Sequence, residues 1–391
     1  MKKKILFVNG HLNVGGVENS LINVLKSNDY NKYEIDLILF EELGDYANEV
    51  PKEVNIIYYD LAKAYGPIKQ CILENIKKRN WFALWLRSIF LLEKIMGVKA
   101  LYLAKPLFNL DKKYDCAIAY RVGICTDFVG YLINSKKKVT WWHHGTFDYP
   151  DELKKRWIKV FKSFDKIIAV SESSNKMLVS NIAGINNKTI TLPNIINVDE
   201  IRQKANEGTS YDINHNDAIT LVSVGRLSPE KGMINCVHAC KKLVDNGYNV
   251  KWYLIGEGIE RGDIERCIRE NKLENNIYLL GAIPNPYPYI KNAYIYVHPS
   301  LVESLSITVL EALALNTPVT VAKSMGPMEF IRHEENGLLV DPTPEGLYKG
   351  IVTLIRDGNL YNQLKKDKSS VLKNYSPEVI MEKIYDLIEV V

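Results

Sequence analysis

The stretch AYIYVHPSLVESLSITVLEA, residues 293–312, contains a short apolar run, a polar loop and a second apolar run. The first run, residues 293–297, has the length and the Tyr, Ile and Val content of a buried strand. The second run is compatible with a helix that begins near Ser304. The stretch therefore predicts one strand, loop and helix of an α/β fold.

Short apolar runs of the same kind recur along the chain, with amphipathic segments between them. Besides 293–297 they cover residues 5–8, 35–40, 116–120, 139–142, 166–170, 220–224, 251–255, 277–280 and 318–321. Strands that are apolar throughout and separated by helices indicate parallel sheets covered on both faces. The predicted fold class is therefore α/β.

The length of the chain favours two domains. A single hydrophobic core rarely extends beyond roughly 250–300 residues, and this chain has 391. The strand series is interrupted between about 193 and 217, and residues 203–216 are polar, as expected of an interdomain linker. We predict one domain over 1–196 and a second over 197–375. Pro377 after Ser376 predicts the start of a final helix over 376–391, which we expect to pack back on the first domain.

Composition and charge exclude several classes of protein. The apolar fraction of 47% and the charged fraction of 25% are those of a globular protein, and a net charge of +4 gives no reason to expect a nucleic-acid partner. The apolar run at 5–8 is too short for a signal peptide, so we expect a cytoplasmic protein. Cys236 and Cys240, with His238 between them, could belong to a metal site, but buried thiols on one helix face are the favoured interpretation.

Two glutamates in the opening stretch, Glu303 and Glu311, stand eight residues apart. In one continuous helix they would be about 12 Å apart, which exceeds the roughly 5–9.5 Å between the two carboxyl groups of a glycosidase. The spacing instead suits one carboxylate at each end of a nucleotide-sugar, Glu303 at the sugar hydroxyls and Glu311 at the ribose diol. The helix start near 304–306 would offer backbone N–H groups to a diphosphate. The alternative is an amphipathic helix with two solvated glutamates.

A second motif, SVGRLSPEKG at residues 223–232, follows a predicted strand and precedes a helix. Gly225 allows a backbone to approach a ligand closely, and Arg226 and Lys231 are two cations that could neutralise a leaving diphosphate. Such a loop alone is most often a turn. Its occurrence 72 residues before the Glu303 motif makes the pair of motifs specific.

With these two motifs the sequence resembles the family-four retaining glycosyltransferases of the GT-B fold, across essentially the whole chain. The resemblance implies two Rossmann-like, doubly wound domains facing across a cleft. It also implies roles for individual residues. Arg226 and Lys231 would bind the phosphates, and the backbone at Ser304 and Leu305 would contact the diphosphate. Glu303 would contact the donor sugar and Glu311 the ribose. A loop at Ile283 would cradle the base.

The N-terminal half carries two weaker motifs. Gly15 and Gly16 lie between the first strand and a helix, without the following residues of a Walker loop, and they match the first loop of the family, which faces the donor. His143 and His144 follow another strand at its carboxyl end, where α/β ligands bind. We favour His143 for hydrogen bonding to the donor or acceptor, and a structural role for His144. Ser171 either faces the cleft or caps a helix.

The resemblance implies the reaction. We expect transfer of a hexose or N-acetylhexosamine, with retention, from a nucleotide diphosphate sugar, most often UDP-linked in this family, to a glycan or lipid-linked acceptor of cell-envelope polysaccharide. The sequence contains no evident Asp-x-Asp magnesium site, so we expect neither a metal nor another cofactor. The alternatives are an inactive sugar-nucleotide-binding regulator or partner subunit, and a transferase of the same fold with a small-molecule acceptor.

Residues 68–105 are both basic and aromatic. They contain eight Lys or Arg against two Glu, interleaved with residues such as Trp81, Phe82 and Trp85. Such a helical stretch could lie on an anionic membrane surface, peripheral to the inner face of the cell membrane and close to a lipid-linked acceptor. The alternative is two ordinary helices with apolar sides in the core and basic sides in water.

Overall fold

A computed structural model describes residues 2–41, 44–64, 68–108, 112–208 and 218–389. The first domain is built on a parallel sheet of seven strands in the order β3-β2-β1-β4-β5-β6-β7. Its strands are β1 (Lys3–Val8), β2 (Tyr33–Leu39), β3 (Asn55–Tyr58), β4 (Tyr114–Ala119), β5 (Ser135–Trp142), β6 (Lys166–Ala169) and β7 (Thr189–Thr191). The strand order reverses between β1 and β4, the place where ligands of open α/β sheets bind.

Helices cover both faces of this sheet. They are α1 (Gly16–Lys26), α2 (Ile68–Lys77), α3 (Trp81–Met96), α4 (Ile124–Asp127), α5 (Asp151–Phe161) and α6 (Glu172–Asn181), followed by α7 (Val198–Lys204) on the way to the second sheet. A 3-10 segment, Gly97–Phe108, follows α3, and a π turn, Phe128–Leu132, continues α4. The side chain of Ser171 caps α6 by accepting a hydrogen bond from the backbone N–H of Ser174.

The second domain repeats the same topology with six parallel strands in the order β10-β9-β8-β11-β12-β13. They are β8 (Ile219–Val224), β9 (Val250–Ile255), β10 (Ile277–Gly281), β11 (Ile295–His298), β12 (Val319–Ala322) and β13 (Leu338–Val340). The order reverses between β8 and β11, so the loops that follow these two strands lie at the second ligand position.

The helices of the second domain end with one that returns to the first. They are α8 (Met233–Asp245), α9 (Arg261–Glu270), α10 (Tyr287–Lys291), α11 (Ile307–Ala314), α12 (Pro344–Arg356), α13 (Gly358–Leu364), α14 (Ser369–Leu372) and α15 (Pro377–Glu389). In α15 the ring of Tyr385 stacks on Tyr33 with 4.9 Å between centroids, and its hydroxyl accepts a hydrogen bond from the backbone N–H of Asp29. Helix α15 therefore lies against the first domain.

Three apolar clusters form the core. One lies between the first sheet and α3 to α6, and one between the second sheet and α8, α9 and α12. The third contains the inner faces of both sheets together with α7, α11 and α15. Since this third cluster draws on both domains, apolar packing continues from one sheet to the other.

The two-domain α/β architecture predicted from the sequence is confirmed, and all ten predicted strands are present. Three strands were missed: β3, β7 and β13. Each is only three or four residues long and lies at the edge of a sheet, where β3 exposes part of every side chain. Runs this short do not stand out in the sequence, and in β3 and β7 polar residues border the apolar ones.

Other predictions concern the connecting segments. The stretch 203–216, predicted as a linker, begins inside α7, where Ile201 is buried; residues 209–217 lie outside the described part of the chain. Cys236 and Cys240 are buried in the core side of α8, and the described residues include no group of three or more His, Cys, Asp and Glu placed to hold a metal ion. Within the same residues, none of the helices is both long and apolar enough to span a bilayer.

Candidate active site

The loops after β8 and β11 bring an ammonium group and a carboxylate together. Lys231 ends a 3-10 turn after β8, and its Nζ lies 2.6 Å from Oε1 of Glu303 in the loop after β11. His298, the last residue of β11, places its Nε2 3.0 Å from the same oxygen. Burial alone would raise the pKa of Glu303, but the charge of Lys231 and the hydrogen bond from His298 outweigh it and hold that pKa well below its ordinary value. Glu303 is therefore an ionised carboxylate.

Glu303 is not helical, which corrects the geometry assumed from the sequence. Helix α11 begins at Ile307, and Ser306 before it has a positive φ of 69°. The separation of about 12 Å, which assumed that both glutamates belong to one helix, therefore does not describe this pair. The predicted helix start near 304–306 is close to the observed one, because Ser306 occupies the N-cap position.

The backbone at Glu303, Ser304 and Leu305 lies between two glycines. A Cβ on Gly145 would be 2.5 Å from the carbonyl carbon of Glu303, and one on Gly326 would be 2.7 Å from that of Ser304. The Ser304 hydroxyl donates a 2.8 Å hydrogen bond to the carbonyl of His143 in the first domain. In the described structure the N–H groups of Ser304 and Leu305 donate to no protein acceptor, so they remain available to an anion.

Glu311 lies in the middle of α11 and is 5% exposed. Its Oε1 accepts a 2.8 Å hydrogen bond from the Tyr287 hydroxyl and a 3.3 Å hydrogen bond from Nδ2 of Asn19, which belongs to α1 in the first domain. Burial raises the pKa of Glu311 to about 7, with the Tyr287 hydrogen bond and the charge of Lys204 opposing the rise. Its environment thus contrasts with that of Glu303, since among the described residues no cation forms an ion pair with Glu311.

Arg226 is placed differently from Lys231. Its side chain is 74% exposed and pairs with Glu230 at 3.2 Å, and no contact with Glu303 occurs in the described structure. Burial, together with the charges of Arg121 and Arg226, lowers the pKa of His144 to about 4. The Arg226 guanidinium is therefore close enough to His144 of the first domain for its charge to act there.

The two histidines after β5 have different surroundings. The ring of His143 lies 5.1 Å from that of Tyr120, its Nε2 is buried without a hydrogen-bond partner in the described structure, and burial lowers its pKa to about 3. Nδ1 of His144 lies 2.7 Å from the Tyr149 hydroxyl, and its ring packs near Trp142. At neutral pH the His143 ring is thus neutral, with one nitrogen left for a ligand, whereas His144 is part of an aromatic cluster.

The remaining predicted donor-binding residues lie around this arrangement. Gly15 precedes α1, and a Cβ there would meet the Glu18 carboxylate; Gly16 begins α1, and a Cβ there would be 3.8 Å from Cδ1 of Ile307. Ile283 follows β10 and is half-buried against the core shared by both sheets. Gly16 thus lies next to α11, whereas Ile283 lies at the end of β10.

The sequence interpretation missed several polar residues at the opening. Nη1 of Arg121 lies 2.9 Å from Oε1 of Glu18 and 2.7 Å from Nε2 of His11, at the strand reversal of the first sheet. Arg121 could have been found from its position just after β4, and His298 from its position at the end of β11. Asn19 and Tyr287 gave no signal, because only the fold brings them to Glu311.

Comparisons with known proteins place this arrangement in context. Residues 209–370 match the family model described as glycosyl transferases group 1. An uncharacterised glycosyltransferase of Methanocaldococcus jannaschii is 31% identical over 242 residues, 59% of each chain. The N-acetylgalactosamine-N,N'-diacetylbacillosaminyl-diphospho-undecaprenol 4-alpha-N-acetylgalactosaminyltransferase of Campylobacter jejuni is 29% identical over 218 residues, 55% of this chain and 58% of its own. The alignments thus span somewhat under three fifths of these two relatives.

The structural comparison extends over the whole chain. The crystal structure of HepE from Anabaena in complex with UDP and glucose superposes with a TM-score of 0.74, at 17% identity, and covers 100% of both chains. At this identity the likeness concerns the fold, and that fold is GT-B: two α/β domains with parallel sheets.

Proposed function

We infer that this chain belongs to the glycosyl transferases group 1 family and transfers a sugar from a nucleotide diphosphate donor to an acceptor in polysaccharide biosynthesis. The observation that supports this most is the set of groups on Glu303. Lys231 and His298 both contact Oε1, and in the described structure Oε2 makes no hydrogen bond. An ionised, oriented carboxylate with one free oxygen is suited to accept a hydrogen bond from a sugar hydroxyl.

The donor is proposed to lie along the second domain. The free N–H groups of Ser304 and Leu305, together with Arg226 and Lys231, would hold the diphosphate. Glu311 would accept hydrogen bonds from the ribose, and the loop at Ile283 would contact the base. Relatives of this fold bind UDP, as HepE does in its crystal structure. UDP is therefore the nucleotide we propose, with a hexose or N-acetylhexosamine as the sugar.

The proposed chemistry is transfer with retention, in which the acceptor hydroxyl attacks on the side that the diphosphate leaves. Its proton would pass to a departing phosphate oxygen. Lys231, Arg226 and the backbone N–H groups would stabilise the charge that develops on the leaving group; one such donor is worth roughly 10²–10³ in rate. With these cations in place, we propose that no metal is required. Neutral His143, whose Nε2 has no protein partner in the described structure, would position a hydroxyl of the donor or acceptor.

A screen of nucleotide-sugars tests this function. Thermal melting and nucleotide release are measured with UDP-, GDP- and ADP-sugars, with and without EDTA. We expect one donor to raise the melting temperature and to release its nucleotide slowly by hydrolysis, equally in both buffers. Stabilisation without release, also in the presence of candidate glycan acceptors, would favour the inactive sugar-nucleotide-binding subunit. The anomeric configuration of the product, read by NMR, tests retention.

A lipid-linked acceptor is supported by the name of the Campylobacter relative and by the surface of residues 68–105. Leu73 and Ile76 are 60% and 51% exposed on α2, next to the exposed Lys77, Lys78 and Arg79. Exposed apolar side chains bordered by cations are typical of a face that lies on an anionic membrane, where each cation is worth about 1 kcal/mol. We propose that the first domain touches the membrane through this surface.

Liposome sedimentation tests the membrane contact. A variant with Lys77, Lys78 and Arg79 changed to Glu should bind vesicles containing anionic lipid much more weakly than the native chain. A control variant with the exposed Lys365 and Lys366 changed to Glu alters the charge of the second domain and should bind as the native chain does. Equal binding by all three proteins would refute a role for the 68–105 surface.

A further inference from the structure

A cavity of about 210 Å³ lies in the first domain, and none of the residues of the candidate active site lines it. Its walls are α3, the 3-10 segment Gly97–Phe108 and the turns of α4 and Phe128–Leu132. The apolar lining includes Leu61, Leu86, Leu101, Ala104, Phe108 and Phe128. An apolar cavity of about 150 Å³ stays dry and binds benzene, and a water-sized group takes about 30 Å³. This cavity therefore has room for a hydrocarbon of roughly seven or eight carbon atoms.

The cavity also has a polar wall. Nη2 of Arg156 lies 2.9 Å from Oε1 of Glu93 and 2.6 Å from Oδ2 of Asp127. Asp127 is only 5% exposed, and its Oδ1 is buried with no hydrogen-bond partner in the described part of the chain. Asp127 lines the cavity, and buried polar atoms in proteins are nearly always hydrogen-bonded. The unpartnered oxygen therefore marks this carboxylate as the place for a donor group of a ligand.

The charges on this wall restrict what that group can be. Arg87 and Arg156 line the cavity together with Glu93 and Asp127, so two cations face two carboxylates. A carboxylate has no proton to donate to the Asp127 carboxylate, and a further negative charge would upset this balance of two cations and two anions. A hydroxyl or amide N–H can donate to Oδ1 of Asp127 without adding a charge.

The outer side of the same elements is apolar. Trp81, Trp85, Met96, Tyr102 and Leu103 are between 48% and 69% exposed. Monomeric proteins seldom expose so many large apolar side chains in neighbouring turns, and Trp and Tyr favour the interface between water and lipid. The cavity thus lies beneath a surface suited to contact with a source of hydrocarbon chains.

We propose that this cavity binds a single-chain amphiphile with an uncharged hydrogen-bond donor, such as a long-chain alcohol, drawn from a lipid surface. The chain packs among the apolar walls and the hydroxyl donates to Oδ1 of Asp127. This ligand site is separate from the sugar-transfer site and does not depend on the proposed function, so it can be tested on a chain that transfers no sugar.

Titration calorimetry with 1-alkanols from butanol to octanol tests the site on the full chain, with donor hydrolysis measured in parallel. Each added methylene should tighten binding about fourfold up to the limit of the cavity. The substitution Ala104→Phe fills the cavity and should weaken octanol binding at least tenfold. Leu101→Ala enlarges it and should move the best fit to a longer alkanol. Octanoate should bind at least tenfold more weakly than octanol.

The surface variant Trp85→Ser separates cavity binding from adsorption, because Trp85 is exposed and does not line the cavity. It should leave octanol binding unchanged. If Trp85→Ser weakens octanol binding as much as Ala104→Phe, or if chain length and Leu101→Ala make no difference, the proposal is overturned. Should Ala104→Phe fail to fold, the Leu101→Ala series and the comparison of octanol with octanoate decide the question alone.

Discussion

Replacing the buried Glu311 by Gln should stabilise the protein while weakening its hold on a nucleotide. The pKa of Glu311 is raised from 4.5 to about 7 because the carboxyl is buried. A carboxyl group whose pKa is higher in the folded than in the unfolded chain reduces stability as the pH rises from the unfolded pKa to the folded one. At about 1.4 kcal/mol per pKa unit, the cost above pH 7 is about 3 kcal/mol. Gln has the same shape, carries no charge, and its Oε1 still accepts from Tyr287 and Asn19.

The assay is thermal unfolding of Glu311→Gln and the native chain between pH 4 and 9. The two should melt together near pH 4, where Glu311 is protonated in both states, and diverge by several degrees above pH 7, with the variant the more stable. UDP should raise the melting temperature of the variant less than that of the native chain. The substitution Glu270→Gln, at an exposed position at the end of α9, is the control and should change neither quantity. A variant that melts at or below the native temperature at pH 8.5 would refute this account of Glu311.

Three further substitutions probe the groups around Glu303. Lys231→Met leaves a buried carboxylate without its cation, so it should cost about 3–5 kcal/mol of stability and at least 100-fold in transfer rate. The double variant that also carries Glu303→Gln should regain the native melting temperature but not the native transfer rate. His298→Asn should raise KM for the nucleotide-sugar while leaving the affinity for free UDP unchanged, because Glu303, which His298 orients, is proposed to contact the sugar and not the nucleotide. A matching loss of UDP affinity would contradict a positioning role. Gly145→Ala places a methyl 2.5 Å from the backbone of Glu303. It should lower kcat/KM about tenfold or more, since small displacements at a reacting centre are costly. Full activity would contradict the tight approach of the two domains.

The sequence predicted the central strands and the edge strand β10, but not the three shortest edge strands, β3, β7 and β13. A central strand such as β8 is covered on both faces, so its residues read as one apolar run. The edge strand β3 is partly exposed to solvent, and the exposed Asn55 and Tyr58 at its two ends leave an apolar run of only two residues. The position of α7 could not be read either, because its polar residues outnumber its one buried side chain, Ile201, and only packing against the second domain shows that it belongs to the core.

The sequence placed several proposed site residues in motifs, but it gave no sign of the residues that support them. Lys231 and Glu303 stand in motifs whose spacing is typical of a nucleotide-sugar site, and the fold brings them within 2.6 Å. Tyr287 and Asn19 reach Glu311 from elements that are distant in sequence, and nothing local marks them. Glu303 is not helical, because Ser306 between it and α11 has a positive φ. Nothing in the sequence indicates this conformation, since serine seldom adopts a positive φ.

The contacts between the two domains fall into two kinds, and this division suggests how a donor could alter their arrangement. Glu329 of the second domain accepts hydrogen bonds from the backbone N–H groups of Glu172 and Ser173, at 3.0 and 2.7 Å, and thereby caps α6 without using any proposed donor-binding group. The hydrogen bond from Asn19 to Glu311, in contrast, involves the carboxylate that is proposed to bind the ribose. A ribose diol on Glu311 would compete with Asn19 for the same carboxylate, so a nucleotide would exchange one interdomain contact while the other persists. Since a ligand shifts a conformational equilibrium only through contacts that differ between the states, Asn19 is the residue through which we expect the nucleoside to influence the relation of the two domains.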